Sequence, residues 1–183
     1  VYTSAMATAD YLATLPNVKR VLMIGEIGLR TALEAKGFEL VSEAPADAVA
    51  IGLDREINYE KLVQATLAIQ NGAAFVATNV DTNLPNERGM LPGAGTLVAA
   101  LRTAVQKDPV VVGKPETIIM NGALELTGLT ADQVVMVGDN YNTDIRAGLN
   151  AGIDTLLVYT GVSTKEQVAQ EAQQPTHEVD SLD

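Results

Sequence analysis

The sequence predicts an α/β fold with largely parallel sheets. Three observations carry that expectation. Short apolar runs of strand length alternate with helical patterns along the whole chain. Glycines stand where helices should stop, at Gly37, Gly72 and Gly128. The segment VVMVGDNYNTDIRAGLNAGIDTLLVYTG (134–161) reads as strand, acidic loop, helix, strand. Its two carboxylates fall where such a sheet presents groups to a ligand.

The elements follow in order. Residues 2–15 carry Ala, Met and Leu at helical spacing, capped by Thr3 or Ser4 and broken by Pro16-Asn17. Residues 20–24 form an apolar strand, and Gly25-Glu26-Ile27-Gly28 turns into a helix over 29–36. Residues 38–41 and 48–53 read as strands. A helix from Asn58 or Tyr59 reaches Gln70, a strand covers 73–77, and 78–92 is a long polar loop. Residues 93–106 are helical, with Leu97, Val98, Leu101 and Val105 on one face. Lys107-Asp108-Pro109 marks a boundary. Beyond it 110–112 are extended, Pro115 suits a first helical position, and Gly128 suits the stop. Strands at 134–137 and 155–159, a helix over 165–173 and a short strand around Glu178-Val179 complete the chain.

Composition narrows the function. With 12 basic and 23 acidic residues the net charge is −11. That argues against a nucleic-acid or anionic-membrane surface. An anionic substrate would need a local counter-field from a metal, a lysine or helix N-termini. There is no cysteine, so disulfides, thiolate zinc sites and cysteine nucleophiles are excluded, and a cytoplasmic setting is expected. No stretch reaches the roughly 18 apolar residues of a membrane span. His177 is the only histidine, which leaves no Ser-His-Asp constellation to argue. The glycines at 25, 28, 93 and 95 fit neither a dinucleotide fingerprint nor a phosphate-binding P-loop.

Several residues could carry chemistry. Asp139 follows an apolar run and should sit at a strand's C-terminal end, and Asp144 follows across a loop with Asn140, Asn142 and Thr143. Two acidic oxygens there can converge on a hard cation such as Mg²⁺, or they can cap the following helix. Lys114 stands between an extended run and a helix start, where an ammonium can hold a phosphate or a carboxylate. Asn79 and Asp81 follow a strand in an amide- and hydroxyl-rich loop suited to a polar substrate, or to Asx turns. Arg88 continues that loop toward a helix N-terminus able to bind an anion.

Taken together these pieces resemble the haloacid dehalogenase-like phosphatases, within them the NagD-like (p-nitrophenylphosphatase) group with a large α/β cap. Gly113-Lys114-Pro115 is similar to the family's third motif. Gly138-Asp139-Asn140 with Thr143-Asp144-Ile145 is similar to the fourth. Thr78-Asn79-Val80-Asp81, Glu87-Arg88-Gly89 and Leu91-Pro92-Gly93-Ala94-Gly95 resemble the group's cap signature. The likeness runs over essentially the whole chain.

The resemblance implies a Rossmann-like core, here its C-terminal half, plus an α/β cap. Residues 1–16 would be a core helix remnant, 17–108 the cap, and 109–183 the C-terminal half of the core. It implies Mg²⁺-dependent hydrolysis of a phosphomonoester through an aspartyl-phosphate, on a small phosphorylated metabolite such as a sugar phosphate or nucleotide monophosphate. Asp139 would be a metal ligand. Asp144 would support the metal or Lys114. Lys114 would balance charge at the phosphoryl group. Asn140 and the Asn79, Asp81 and Arg88 region would contact the substrate.

One departure is large. The family's Asp-x-Asp-Gly-Thr strand end, which supplies the nucleophile, has no match here. The expectation is therefore a fragment that is inactive by itself, or a non-catalytic module completed by a partner chain. The strand at 134–137 should then lie open on one side, inviting homo-oligomers or association through that edge.

Overall fold

Apolar runs too short for helices become strands, and in both halves of the chain these strands pair in parallel. The computed structural model describes Val1–Asp183 and divides into two units, Val1–Gly113 and Lys114–Asp183.

The first unit holds α1 (Ser4–Thr14), β1 (Arg20–Ile24), α2 (Ile27–Ala35), β2 (Glu39–Val41), β3 (Ala48–Ile51), α3 (Tyr59–Gln70), β4 (Ala74–Ala77), β5 (Asn83–Asn86), β6 (Gly89–Pro92), α4 (Ala94–Val105) and β7 (Val110–Val111). Five strands form one parallel sheet in the order β2-β1-β3-β4-β7. Val21 lies opposite Ala48, Val49 opposite Phe75, and Ala77 opposite Val111. All four residues of β3 are buried, as expected of a central parallel strand covered on both faces, so its sequence is continuously apolar. Leu22, Ile24, Val49, Ile51, Phe75 and Leu101 belong to one core, each side chain worth about 1.5–3 kcal/mol of burial. Thr3 caps α1 through the Met6 N–H, and Asn58 caps α3 through the Lys61 N–H. Gly37 and Gly72 end their helices at positive φ.

One expectation is corrected in this unit. Residues 78–92 are not simply a loop: β5 and β6 pair as an antiparallel hairpin, with Asn83 opposite Pro92 and Asn86 opposite Gly89. Every residue of β5 is exposed, so the hairpin has no buried face and prints no alternating pattern in the sequence. The extended residues after Pro109 remain with this unit, because β7 pairs with β4 and the Val112 and Gly113 N–H groups donate to the Ala77 and Thr78 carbonyls. Residues 1–16 also fall in it, with α1 packed on α2.

The second unit holds α5 (Thr117–Thr127), β8 (Val135–Gly138), α6 (Arg146–Asn150), β9 (Asp154–Val158), α7 (Lys165–Val168) and β10 (His177–Val179). Its sheet runs β10-β9-β8, all parallel. β8 pairs with β9 alone and is an open edge, as expected, with Val135 and Val137 exposed. Gly148 lets α6 lie close on these two strands: a Cβ there would meet the Thr155 and Met136 side chains at 2.5 and 2.9 Å. Pro115 is not the first helical residue. Helix α5 begins at Thr117, and the Pro115 carbonyl instead accepts a hydrogen bond from Asn150 Nδ2. The helix expected over 165–173 is only α7, after which Gln174 Nε2 donates to the Val168 and Glu171 carbonyls. No helix is long and apolar enough to cross a membrane.

Candidate functional site

In the second unit, β8 delivers Asp139 to its carboxyl end, the side on which open α/β sheets present ligand-binding groups. The chain then passes through a π-helical turn, Tyr141–Ile145, into α6. Such turns are rare and concentrate at functional sites. Asn140 starts the turn, its side chain accepting the Asn142 N–H at 3.0 Å. The turn folds Asp144 back against Gly138, where a Cβ would lie 2.2 Å from the Asp144 Cβ.

Asp144 is buried and both its oxygens are engaged. Oδ1 accepts from Lys114 Nζ at 2.8 Å, and Oδ2 accepts from the Asn140 N–H at 3.2 Å. Lys114 is thereby fixed beside the acidic loop from a position 30 residues earlier in the chain. Asp139 differs. Its Oδ2 accepts the Val162 N–H at 3.1 Å, while Oδ1 has no partner within the chain. Lys114, Asp139, Asn140 and Asp144 are thus gathered at one end of one sheet.

The residues singled out in the first unit occupy other surroundings. Asn79 Oδ1 accepts the Asp81 N–H at 3.3 Å, an Asx turn directly after β4. The Asp81 carbonyl accepts the Gly95 N–H at 2.9 Å, which ties that turn to the start of α4. Gly93 and Gly95 permit the approach: a Cβ would stand 2.2 Å from the Asp81 oxygen in one case and 2.3 Å from the Val80 oxygen in the other. Arg88 lies at the exposed tip of the β5–β6 hairpin, its N–H donated to Asn86 Oδ1.

Sequence reasoning missed the turn after β9. Gly161, Val162 and Ser163 lie against Asp139-Asn140-Tyr141: the Ser163 N–H donates to the Asp139 carbonyl at 3.0 Å, and the Tyr141 N–H donates to Ser163 Oγ at 2.8 Å. One signal was available. In a parallel sheet the ends of neighbouring strands share an edge, so a Thr-Gly pair just after the strand beside β8 belongs next to Asp139. Asp54, which follows β3, is buried against Lys61 at 2.8 Å and the Glu56 N–H at 2.9 Å, a satisfied structural ion pair.

The donor set suits a hard divalent cation in a limited way. No group of three or more acidic or histidine side chains could enclose one. Asp139 Oδ1 is an unengaged carboxylate oxygen, whereas Asp144 has committed both of its own. One carboxylate supplemented by water and phosphate oxygens is an arrangement that Mg²⁺ commonly accepts.

Comparison with known proteins places the chain in a family. Residues 111–183 match the family described as HAD-hydrolase-like. The chain is 48% identical over 182 residues to the 5'-nucleotidase YutF of Bacillus subtilis, covering 100% of this chain and 71% of that protein. It is 47% identical to an acid sugar phosphatase of Staphylococcus epidermidis, again over 100% of this chain and 70% of the relative. Among solved structures, a thermostable NPPase double mutant from Geobacillus stearothermophilus superposes with a TM-score of 0.93 at 49% identity, over 98% of this chain and 71% of that one. A glycerol phosphate phosphatase from Mycobacterium tuberculosis in complex with magnesium superposes at 0.91 and 39%, over 98% of this chain and 56% of that one.

Proposed function

Because the chain belongs to the haloacid dehalogenase-like phosphatases, we propose that its second unit carries the metal- and charge-handling part of a phosphomonoester hydrolase site. The observation that carries the reading is the Lys114–Asp144 ion pair beside the unengaged oxygen of Asp139. Asp139 would bind Mg²⁺ directly. Asp144 would hold Lys114, and Lys114 would receive the phosphoryl group with Asn140 as a neighbouring donor. The bound cation supplies charge neutralisation at the phosphoryl oxygens.

Residues 17–108 act in this reading as a cap that selects the substrate, with Asn79, Asp81 and Arg88 as its polar contacts. The names of the relatives support the substrate class, since they denote phosphatases of nucleotides, sugar phosphates and glycerol phosphate. The substrate is then a small phosphorylated metabolite, and the absence of cysteine suits a cytoplasmic enzyme.

The 183-residue chain by itself does not complete the reaction. An aspartyl-phosphate route needs a carboxylate free to attack phosphorus. In the second unit Asp139 is assigned to the metal and Asp144 is bound to Lys114. Assay of this chain with p-nitrophenyl phosphate and Mg²⁺ should show no turnover, and robust turnover that Asp139→Asn abolishes overturns that claim. Calorimetric titration with inorganic phosphate and Mg²⁺ tests the site itself. Binding should weaken in Lys114→Ala and in Asp139→Asn, and binding indifferent to both removes the reading.

A second reading rests on a separate observation. β8 is an open edge and α5, although rich in Ile, Met and Leu, buries no residue fully. A non-catalytic module that binds a phosphorylated ligand and is completed by a partner strand would show the same edge. Solution mass of the isolated chain tests association through that edge, and a strict monomer at all concentrations counts against the partner reading.

A further inference from the structure

Gly161 poses a question that the family assignment leaves open. It lies in an exposed turn and its φ is outside the left-handed region, so the backbone there does not require glycine. The space beside it does. A Cβ on Gly161 would stand 1.6 Å from Asp139 Oδ2 and 2.4 Å from its Cγ. The missing side chain makes room for the Asp139 carboxylate.

Three hydrogen bonds fix the same place. The Val162 N–H donates to Asp139 Oδ2 at 3.1 Å, the Ser163 N–H donates to the Asp139 carbonyl at 3.0 Å, and the buried Ser163 Oγ accepts the Tyr141 N–H at 2.8 Å. Backbone and side chain of Asp139 are therefore held from one side by one turn. Of its two carboxylate oxygens, only Oδ2 is consumed.

The structure assigns to the Gly161–Val162–Ser163 turn the role of a positioning clamp that selects which oxygen of Asp139 meets a divalent cation. The turn takes Oδ2 and leaves Oδ1 as the donor. A carboxylate free to rotate would offer either oxygen, or both to one ion. A clamped one offers a single fixed oxygen, which suits a small cation with strict geometry. Gly161 and Ser163 are positioning residues here, acting through Asp139 and its neighbour Tyr141. The inference rests on the reading of Asp139 as a metal ligand.

The test uses the whole 183-residue chain and Mn²⁺ as the probe, followed by paramagnetic broadening of backbone amides and by the electron spin resonance of free Mn²⁺. Wild type should bind Mn²⁺ with broadening centred on residues 139–140 and 161–163. Asp139→Asn should abolish it. Gly161→Ala should weaken Mn²⁺ affinity by about 10–100-fold, the usual cost of losing an outer partner of a ligand.

The failures are separable. If wild type binds no Mn²⁺ near Asp139, or Asp139→Asn binds it as well as wild type, the metal reading falls and the clamp falls with it. If Asp139→Asn abolishes binding and a folded Gly161→Ala retains it within twofold, the metal reading stands and the clamp is wrong. Should Gly161→Ala not fold, the Val162 amide of the wild-type chain decides. Its exchange protection must vanish in Asp139→Ala, and unchanged protection overturns the clamp.

Discussion

Lys114 and Asp144 form a 2.8 Å ion pair whose members are unequally buried, the lysine side chain 42% exposed and the aspartate 10%. The inequality predicts an order of effects. Lys114→Met strands a nearly buried carboxylate with a single remaining donor, the Asn140 N–H. Asp144→Asn leaves an ammonium that can turn to water, and the new amide can still accept from Asn140. In urea unfolding near neutral pH, Lys114→Met should cost about 1–3 kcal/mol and Asp144→Asn less. The reverse order would show that Lys114 is a solvated surface residue.

Gly95 tests whether the hairpin stem is as tightly set as it looks. It lies in the first turn of α4, where helix propensity alone favours alanine by about 1 kcal/mol. The space opposes it: a Cβ would meet the Val80 oxygen at 2.3 Å and the Asp81 oxygen at 2.9 Å, both backbone atoms that cannot swing aside. The clash should win, and Gly95→Ala should lower the melting temperature by an amount corresponding to about 1–3 kcal/mol. A rise in melting temperature would mean that the turn carrying Asn79 and Asp81 can move away freely.

What could be read from the sequence, and what could not, divides along physical lines. β1, β3, β4, α3 and α4 were legible because each buries an apolar run or stripe and most end at a glycine or cap. The β5–β6 hairpin was not, since its residues face solvent and Pro85 and Pro92 argue against a strand. Asp139 was legible as the first acid after an apolar run. Its environment was not. No local pattern tells that Asp144 spends both oxygens on Lys114 and the Asn140 N–H while Asp139 keeps one free. Gly161 stayed invisible for the same reason: the cause of the glycine is a carboxylate 22 residues earlier, reached only through the pairing of β8 with β9.

Asp47 predicts acid sensitivity in the first unit. Its Oδ2 accepts the Arg20 N–H at 2.7 Å and the Lys19 N–H at 2.9 Å, fastening the start of β1 to that of β3. Those backbone donors, Arg20 first, hold its carboxyl below the ordinary value of 3.8. A depressed folded value means that the folded state binds fewer protons. The stabilisation is then complete above the unfolded value and is lost as pH falls through the folded one. Asp10 shifts the same way: burial opposes it, but hydrogen bonds from Lys36 and Tyr2 prevail. Urea midpoints should fall between about pH 6 and about pH 3, and fall less in Asp47→Ala. An equal fall in that variant would place the acid sensitivity elsewhere.

Tyr159 predicts the opposite limb of the pH profile. It follows β9, its N–H donates to the Val179 carbonyl, and its hydroxyl donates to Glu178 Oε2 at 2.7 Å, so one residue fastens β10 to β9 twice. Burial of the ring, then the Glu178 hydrogen bond and the nearby charges of Glu178, Asp180 and Glu166, push its hydroxyl from 10.0 up to about 12. A raised value means that the folded state keeps a proton the unfolded state releases. That contribution is whole below the unfolded value and is lost as pH rises through about 12. Titrating the ultraviolet absorbance of the five tyrosines should show a last step near that pH. Tyr159→Phe should remove the step, and Glu178→Gln should move it down because the negative acceptor is gone. If the late step persists in Tyr159→Phe, the β10 contact is not closed by this hydroxyl.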